Sequence, residues 1–247
     1  MTDLVVQCTD VQHAYGRRPA LQGLTATIGP GLVGLLGPNG AGKSTLMGLL
    51  ATITQLQRGS IRVGSAEISE VGAIRRQLGF LPQHFAVPAL ERVDRVVEYA
   101  AWARGVGRKD CAAAAQDAMS VTGLIERAGE RTRSLSGGYR QRLGIACAIV
   151  GGPGLVLLDE PTVGIDPVQR VEIRQMLGRL AESATVIVAT HLLEDLDLPG
   201  TSVVVINEGR SLFEGSTDDL AALGSSSAGP GQRPLEAGYM AALRVAA

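Results

Sequence analysis

An unbroken apolar run, Leu32-Val33-Gly34-Leu35-Leu36, leads directly into Gly37-Pro38-Asn39-Gly40-Ala41-Gly42-Lys43-Ser44, and a helical pattern follows from 42 to about 52. This junction constrains the fold more than any other stretch. The octapeptide satisfies G-x-x-x-x-G-K-[ST] between a strand and a helix, the context that makes the pattern a phosphate cradle. Glycines let the backbone curl until its N–H groups point inward as an anion nest. The helix N-terminus adds its partial positive charge. Lys43 supplies a point charge for the β and γ phosphates, and Ser44 a hydroxyl for Mg2+. Lysine occurs only at 43 and 109 among 23 cationic residues, so its presence in this loop is informative.

The rest of the chain arranges itself around that junction. Residues 4–7, 61–63, 78–81, 155–158, 185–189 and 203–206 read as further strands. Residues 91–104, 110–121, 137–150, 168–181 and 192–196 read as helices, the second of them Ala-rich and a good helix former. Strands alternating with helices imply an α/β fold with a mostly parallel sheet. The all-helical stretch from about 85 to 150 interrupts that alternation and reads as an inserted subdomain. Four segments result: a first core part at 1–84, the helical subdomain at 85–150, a second core part at 151–215, and a C-terminal helix and tail at 216–247. Residues 224–234, GSSSAGPGQRP, have the composition of a flexible linker.

Two more motifs carry chemistry. Leu155-Val156-Leu157-Leu158-Asp159-Glu160 is an apolar strand ending in two carboxylates. In parallel sheets ligands gather at the carboxyl ends of strands. Asp159 there would bind Mg2+, directly or through water, and Glu160 would polarise an attacking water. Leu135-Ser136-Gly137-Gly138-Tyr139-Arg140-Gln141-Arg142 opens a helix with two glycines behind a capping serine. That is a second anion nest, and a simple kinase or GTPase needs only one.

In this order the motifs resemble the nucleotide-binding subunit of an ATP-binding-cassette transporter. The resemblance runs from Tyr15 through the P-loop at 37–45, Gln83 in FLPQ, LSGG at 135–138, LLDE at 157–160 and Gly164-Ile165-Asp166 to His191. It implies a RecA-like P-loop core with an antiparallel β edge and an inserted helical subdomain. It also implies ATP and Mg2+ as cofactors, with the whole loop through Thr45 in contact with nucleotide. Tyr15 would stack on adenine. Gln83 would sense the γ-phosphate and Mg2+ and link the site to a partner. His191 would contact the γ-phosphate and hold Glu160 and water in place, so that Glu160, His191, Gln83 and Lys43 form the catalytic set and Ser44, Gln83 and Asp159 the metal set. Ser136, Gly137 and Gly138 would close over ATP held by a second cassette in a homodimer, with Asp166 at the seam. Taken alone, Tyr15 also suits a core aromatic, Gln83 a polar loop, His191 a structural histidine and Asp166 a helix cap ahead of Pro167. Tyr139 departs from the family, which usually carries Gln after LSGG.

The phrasing LLGPNGAGKSTLMGLLATI with ATHLLEDLD looks most like bacterial exporters whose membrane subunit is a separate chain. The function implied is ATP hydrolysis that powers transport, with the chain held at the cytoplasmic face of the membrane by that subunit. The other readings are a non-transport cassette acting on ribosome or DNA, and a nucleotide kinase, which LSGG and Gln83 oppose. Composition narrows the field further. A net charge of −1 and a pI near 6.3 argue against a bulk nucleic-acid binder. Aromatics at 3% leave little for base-stacking platforms. Cys8, Cys111 and Cys147 are an odd, widely spaced set that suits neither a disulfide framework nor a zinc site. A mean hydropathy of +0.18 prompts a search for a membrane span. The uncharged stretches at 19–42 after the arginines and at 143–158 are cut by Gly and Pro, so none is expected. The start, MTDLVVQCTD, has no signal-peptide pattern.

Overall fold

The computed structural model describes residues 4–224 and 232–244. Most of the linker read at 224–234 therefore lies outside the described residues. Among the described residues ten strands form two sheets. The larger has five parallel strands in the order β9 (Ser202–Asn207), β3 (Leu32–Leu36), β8 (Thr185–Thr190), β7 (Leu155–Asp159) and β6 (Leu78–Leu81). A sixth strand, β10 (Arg210–Ser216), adds to β9 antiparallel.

Strands β3, β7 and β8 are buried at every residue, as strands covered on both faces must be. Their side chains alternate between two cores. Leu155 and Leu157 join the core around α1 (Lys43–Leu50), whereas Val156 and Leu158 join the core built with α5 (Gly137–Ile149) and α6 (Pro167–Ala181). The first core is closed on its other side by a four-stranded antiparallel sheet. That sheet contains β1 (Val6–Tyr15), β2 (Arg18–Ile28), β4 (Arg58–Val63) and β5 (Ala66–Glu67) in the order β2-β1-β4-β5. The second core continues into a helical unit of α3 (Val93–Ala103), α4 (Cys111–Val121) and α5.

Several elements depart from the sequence expectations. The strand expected at 4–7 begins at Val6 and runs on to Tyr15, and no strand was expected where β2 lies. Both are half-buried, and the β1 pattern is broken by register shifts between Cys8 and Val11, where Asp10 has φ +48. A bulge of this kind destroys the period of two that marks a strand. The short α2 (Val71–Gln77), with only Ile74 buried, carries no apolar stripe to reveal it. The helix expected at 192–196 is a single 3-10 turn, Leu193–Leu196. The C-terminal region holds two packed helices, α7 (Thr217–Gly224) and α8 (Pro234–Arg244), where one was expected.

Candidate functional site: a phosphate cleft at the carboxyl edge of the sheet

Register brings the candidate residues together. β8 lies between β3 and β7, with Leu36 opposite Thr190 and Ala189 opposite Asp159. The loop after β3, Glu160 after β7, His191 after β8 and Gln83 after β6 therefore leave the sheet along one edge. A cleft of about 330 Å3 opens there. Its lining comes from Asn39, Gly40, Ala41, Gly42, Lys43, Ser44 and Thr45, from Gln83 and Glu160, and from the β1–β2 hairpin through Tyr15, Arg18, Pro19 and Ala20.

The loop is built around glycine and lysine. Gly42 precedes α1 at φ +110, and a Cβ there would sit 2.7 Å from the carbonyl oxygen of Ala20. Only glycine meets both conditions. The buried Lys43 ammonium donates to the carbonyl oxygens of Gly37 at 2.6 Å and Pro38 at 3.2 Å. Burial pushes Lys43 below its ordinary pKa, while Glu160 and Asp159 pull it back up.

Asp159 and Glu160 are both buried at the strand end. Burial pushes the Asp159 carboxyl above the usual carboxylate range, a bond from the Ser44 hydroxyl opposes this, and Glu160 beside it adds to the rise. Asp159 Oδ1 and Glu160 Oε2 are buried without a hydrogen-bond partner. Such acceptors invite a ligand. The other Glu160 oxygen, Oε1, lies 2.9 Å from Nδ1 of His191, and since a carboxylate only accepts, the ring donates. Among the described residues no group of three or more His, Cys, Asp or Glu could hold a metal by itself. Ser44 beside Asp159 fits instead a hard cation that draws most of its oxygens from phosphate and water.

Tyr15 is 56% exposed, which a core aromatic would not be, and its ring meets His13 edge-on at 4.9 Å. Asp166 caps α6, accepting from the N–H of Gln169 at 3.0 Å. Ser136, Gly137 and Gly138 do not line the cleft. Ser136 caps α5, accepting from the N–H of Tyr139 at 3.5 Å. A Cβ on Gly137 would meet nothing within 4 Å, whereas one on Gly138 would overlap Oε1 of Gln169. Tyr139 packs under the guanidinium of Arg127, 4.0 Å from its ring centre, with Arg142 at 5.6 Å.

Sequence reasoning missed Arg18, Pro19 and Ala20, which the hairpin carries into the cleft beside Tyr15. The only signal for them was the turn at Gly16-Arg17, since Tyr15 pairs directly with Arg18 across it.

A cradle for phosphates beside two acids and a histidine suits attack of water on a bound nucleoside triphosphate, the chemistry of a P-loop NTPase. The family model described as "ABC transporter" matches residues 21–163. The chain is 31% identical over 222 residues to the linearmycin resistance ATP-binding protein LnrL of Bacillus subtilis, covering 87% of this chain and 70% of that one. It is 33% identical over 225 residues to the daunorubicin resistance ATP-binding protein DrrA3 of Streptomyces coeruleorubidus, covering 90% and 71%. The structure of cbiO1 from Clostridium perfringens, part of the ABC transporter complex cbiONQ, superposes with a TM-score of 0.79 at 26% identity, covering 90% of this chain and 92% of that one. The chain belongs to the ABC transporter family, as its ATP-binding cassette. It binds ATP, and its activity is ATP hydrolysis coupled to transport. Among the described residues no helix is long and apolar enough to cross a membrane.

Proposed function

We propose that this cassette powers export through a separate membrane subunit, and that two copies sandwich two ATPs, each held by the cleft of one copy and the Ser136–Gly138 nest of the other. One observation carries the shared-site reading: the second nest is built, capped and open at Gly137, yet contributes nothing to its own chain's cleft. Export is supported by relatives whose names give resistance to linearmycin and daunorubicin. No observation favours the ribosome or DNA alternative.

In the closed dimer the free loop N–H groups between Asn39 and Thr45, with Lys43, neutralise the phosphates, and Tyr15 carries the adenine. Ser44, Gln83 and Asp159 would hold Mg2+, which when bound withdraws charge from the β and γ oxygens. Glu160 accepts a proton from the attacking water while His191 holds Glu160 in place. Release of phosphate removes the charge that kept the copies together, so hydrolysis reopens them. Two states coupled by differential affinity are enough to drive a partner.

That partner docks beside the site. An apolar groove of about 620 Å3 runs past Phe85, Val87, Pro88, Val96, Tyr99 and Gly144. It adjoins Gln83 in sequence and lies on the helical segment at 85–150, which we take as the transducing unit between the core parts at 1–84 and 151–215, with 216–247 as the C-terminal appendage. Seating on the membrane subunit would place the cassette at the cytoplasmic face of the membrane.

Mixing two dead variants tests the shared site. Lys43→Ala damages the cradle and Gly137→Asp sets a carboxylate against the γ-phosphate. Each alone is expected to lose about 10²–10³ in rate, as for removal of a preorganised electrostatic contact. Mixed dimers regain one intact site, so ATPase activity returns on mixing. A site completed within one chain predicts none.

A further inference from the structure

Three carboxylates are buried among the described residues, and the chemistry above uses only Asp159 and Glu160. The third, Asp195, is 2% exposed and sits in the 3-10 turn that follows His191. Its Oδ2 accepts from the hydroxyl of Thr162 and, at 3.2 Å, from the hydroxyl of Thr190. Neither threonine has exposed surface. The Thr190 oxygen also accepts from the N–H of Leu192 at 3.0 Å, so it grips the backbone on the far side of His191.

The sequence positions of these hydroxyls matter. Thr162 stands two residues after Glu160, and Thr190 immediately before His191. One carboxylate oxygen therefore joins the segment that carries the water-polarising acid to the segment that carries its histidine. The Glu160 backbone needs such restraint. It stands at φ +51, uncommon for a residue with a Cβ, and its N–H is fixed to the Ala189 carbonyl at 2.8 Å.

Asp195 is an expensive way to fill a core. Its Oδ1 is buried without a partner, and burial pushes its carboxyl above the usual range against the pull of Thr162, Thr190, Arg170 and Arg174. A buried charge of this kind opposes folding unless well paired. Its two bonds go to the strand-end segments that hold the reacting groups.

We propose that Asp195 is a positioning residue that sets the distance and angle between Glu160 and His191, through Thr162 and Thr190. The inference rests on the roles given to Glu160 and His191 above. A misplacement of about 1 Å in a catalytic group costs on the order of 10²-fold in rate while binding persists.

The test uses the whole 247-residue chain, with kcat for ATP hydrolysis and ATP affinity measured separately. Asp195→Ala and Thr162→Val should each lower kcat by about 10–100-fold, with ATP affinity within about twofold of wild type. Asp195→Asn keeps an oxygen that accepts both hydroxyls and should recover most of the lost kcat. Thr162→Val is nearly isosteric, so it decides the matter where Asp195→Ala does not fold. Wild-type kcat in Thr162→Val, a matching loss of ATP affinity, or Asp195→Asn as slow as Thr162→Val would each overturn the proposal. Glu160→Gln measured in parallel separates the two layers. If it turns over normally, the underlying assignment fails. If it is inactive while Thr162→Val is unimpaired, only the positioning role fails.

Discussion

Two helices among the described residues, α1 and α5, open at glycines, and they are built to opposite ends. The loop before α1 is closed on itself: Lys43 is buried and bonded to Gly37 and Pro38, Gly42 fits against the backbone of Ala20, and Asp159 and Glu160 crowd one side. The start of α5 has no lysine and no acid pair. Ser136 supplies its cap, Gly137 faces open space, and the nearby guanidinium groups of Arg127 and Arg142 are stacked on Tyr139. In the proposed mechanism the first nest supplies the groups that hold and hydrolyse the nucleotide, and a second copy supplies what lies across from it. The second nest offers N–H groups and the Ser136 hydroxyl. On the proposed mechanism, nests of equal backbone chemistry divide into a reaction centre and a lid, and the division rests on the charged residues around each.

Removing the Glu160 charge beside the first nest should have the largest effect. Glu160→Gln keeps shape and ATP binding but loses the proton acceptor, so hydrolysis should fall by about 10²–10⁴. Phosphate release within twofold of wild type would erase the contrast between the two nests.

A smaller effect separates them by packing. Gly42→Ala must enter a left-handed conformation against a carbonyl, whereas Gly138→Ala meets only the end of the Gln169 side chain. Each overpacking costs typically about 1–3 kcal/mol. Gln169→Ala should relieve the loss of melting temperature in Gly138→Ala, and no single side-chain truncation should relieve it in Gly42→Ala. Equal behaviour of the two would blur the distinction.

The smallest expected effect is one of pH. Burial holds the Asp159 carboxyl above its unfolded-chain value, so only in the pH interval between the two does the folded state bind a proton that the unfolded chain has released. Its favourable contribution is present at low pH and is lost as pH rises through the folded-state pKa. At neutral pH, Asp159→Asn should raise the melting temperature of the nucleotide-free protein, by about 2–4 °C per kcal/mol relieved. No rise at pH 7, or a rise only at low pH, would argue against a strained acid at this strand end.

How much of this was legible in the sequence follows from where the signal is local. Gly37 to Ser44 and the run from Leu155 to Glu160 declare themselves, because a buried parallel strand is continuous in apolar residues and its functional end is abrupt. Ser136 read as a cap and is one. The hairpin of β1 and β2 was hidden by the bulge at Asp10, and with it Arg18 and the reason Tyr15 reaches the cleft. Asp195 was invisible for another reason. In LLEDLD it is one acid among three, and only the folded backbone shows it turned inward onto Thr162 and Thr190.

The claim that the second nest completes another chain's site is tested most directly by crosslinking. Copies carrying Asn39→Cys are mixed with copies carrying Ser136→Cys, both in the Glu160→Gln background that traps ATP, and oxidised. Asn39 lines the cleft and Ser136 opens the nest. The account predicts disulfide-linked dimers between the two kinds of copy, formed with ATP and lost without it. A double variant with both cysteines in one chain that crosslinks only internally, while the mixed copies stay monomeric with ATP, would contradict it.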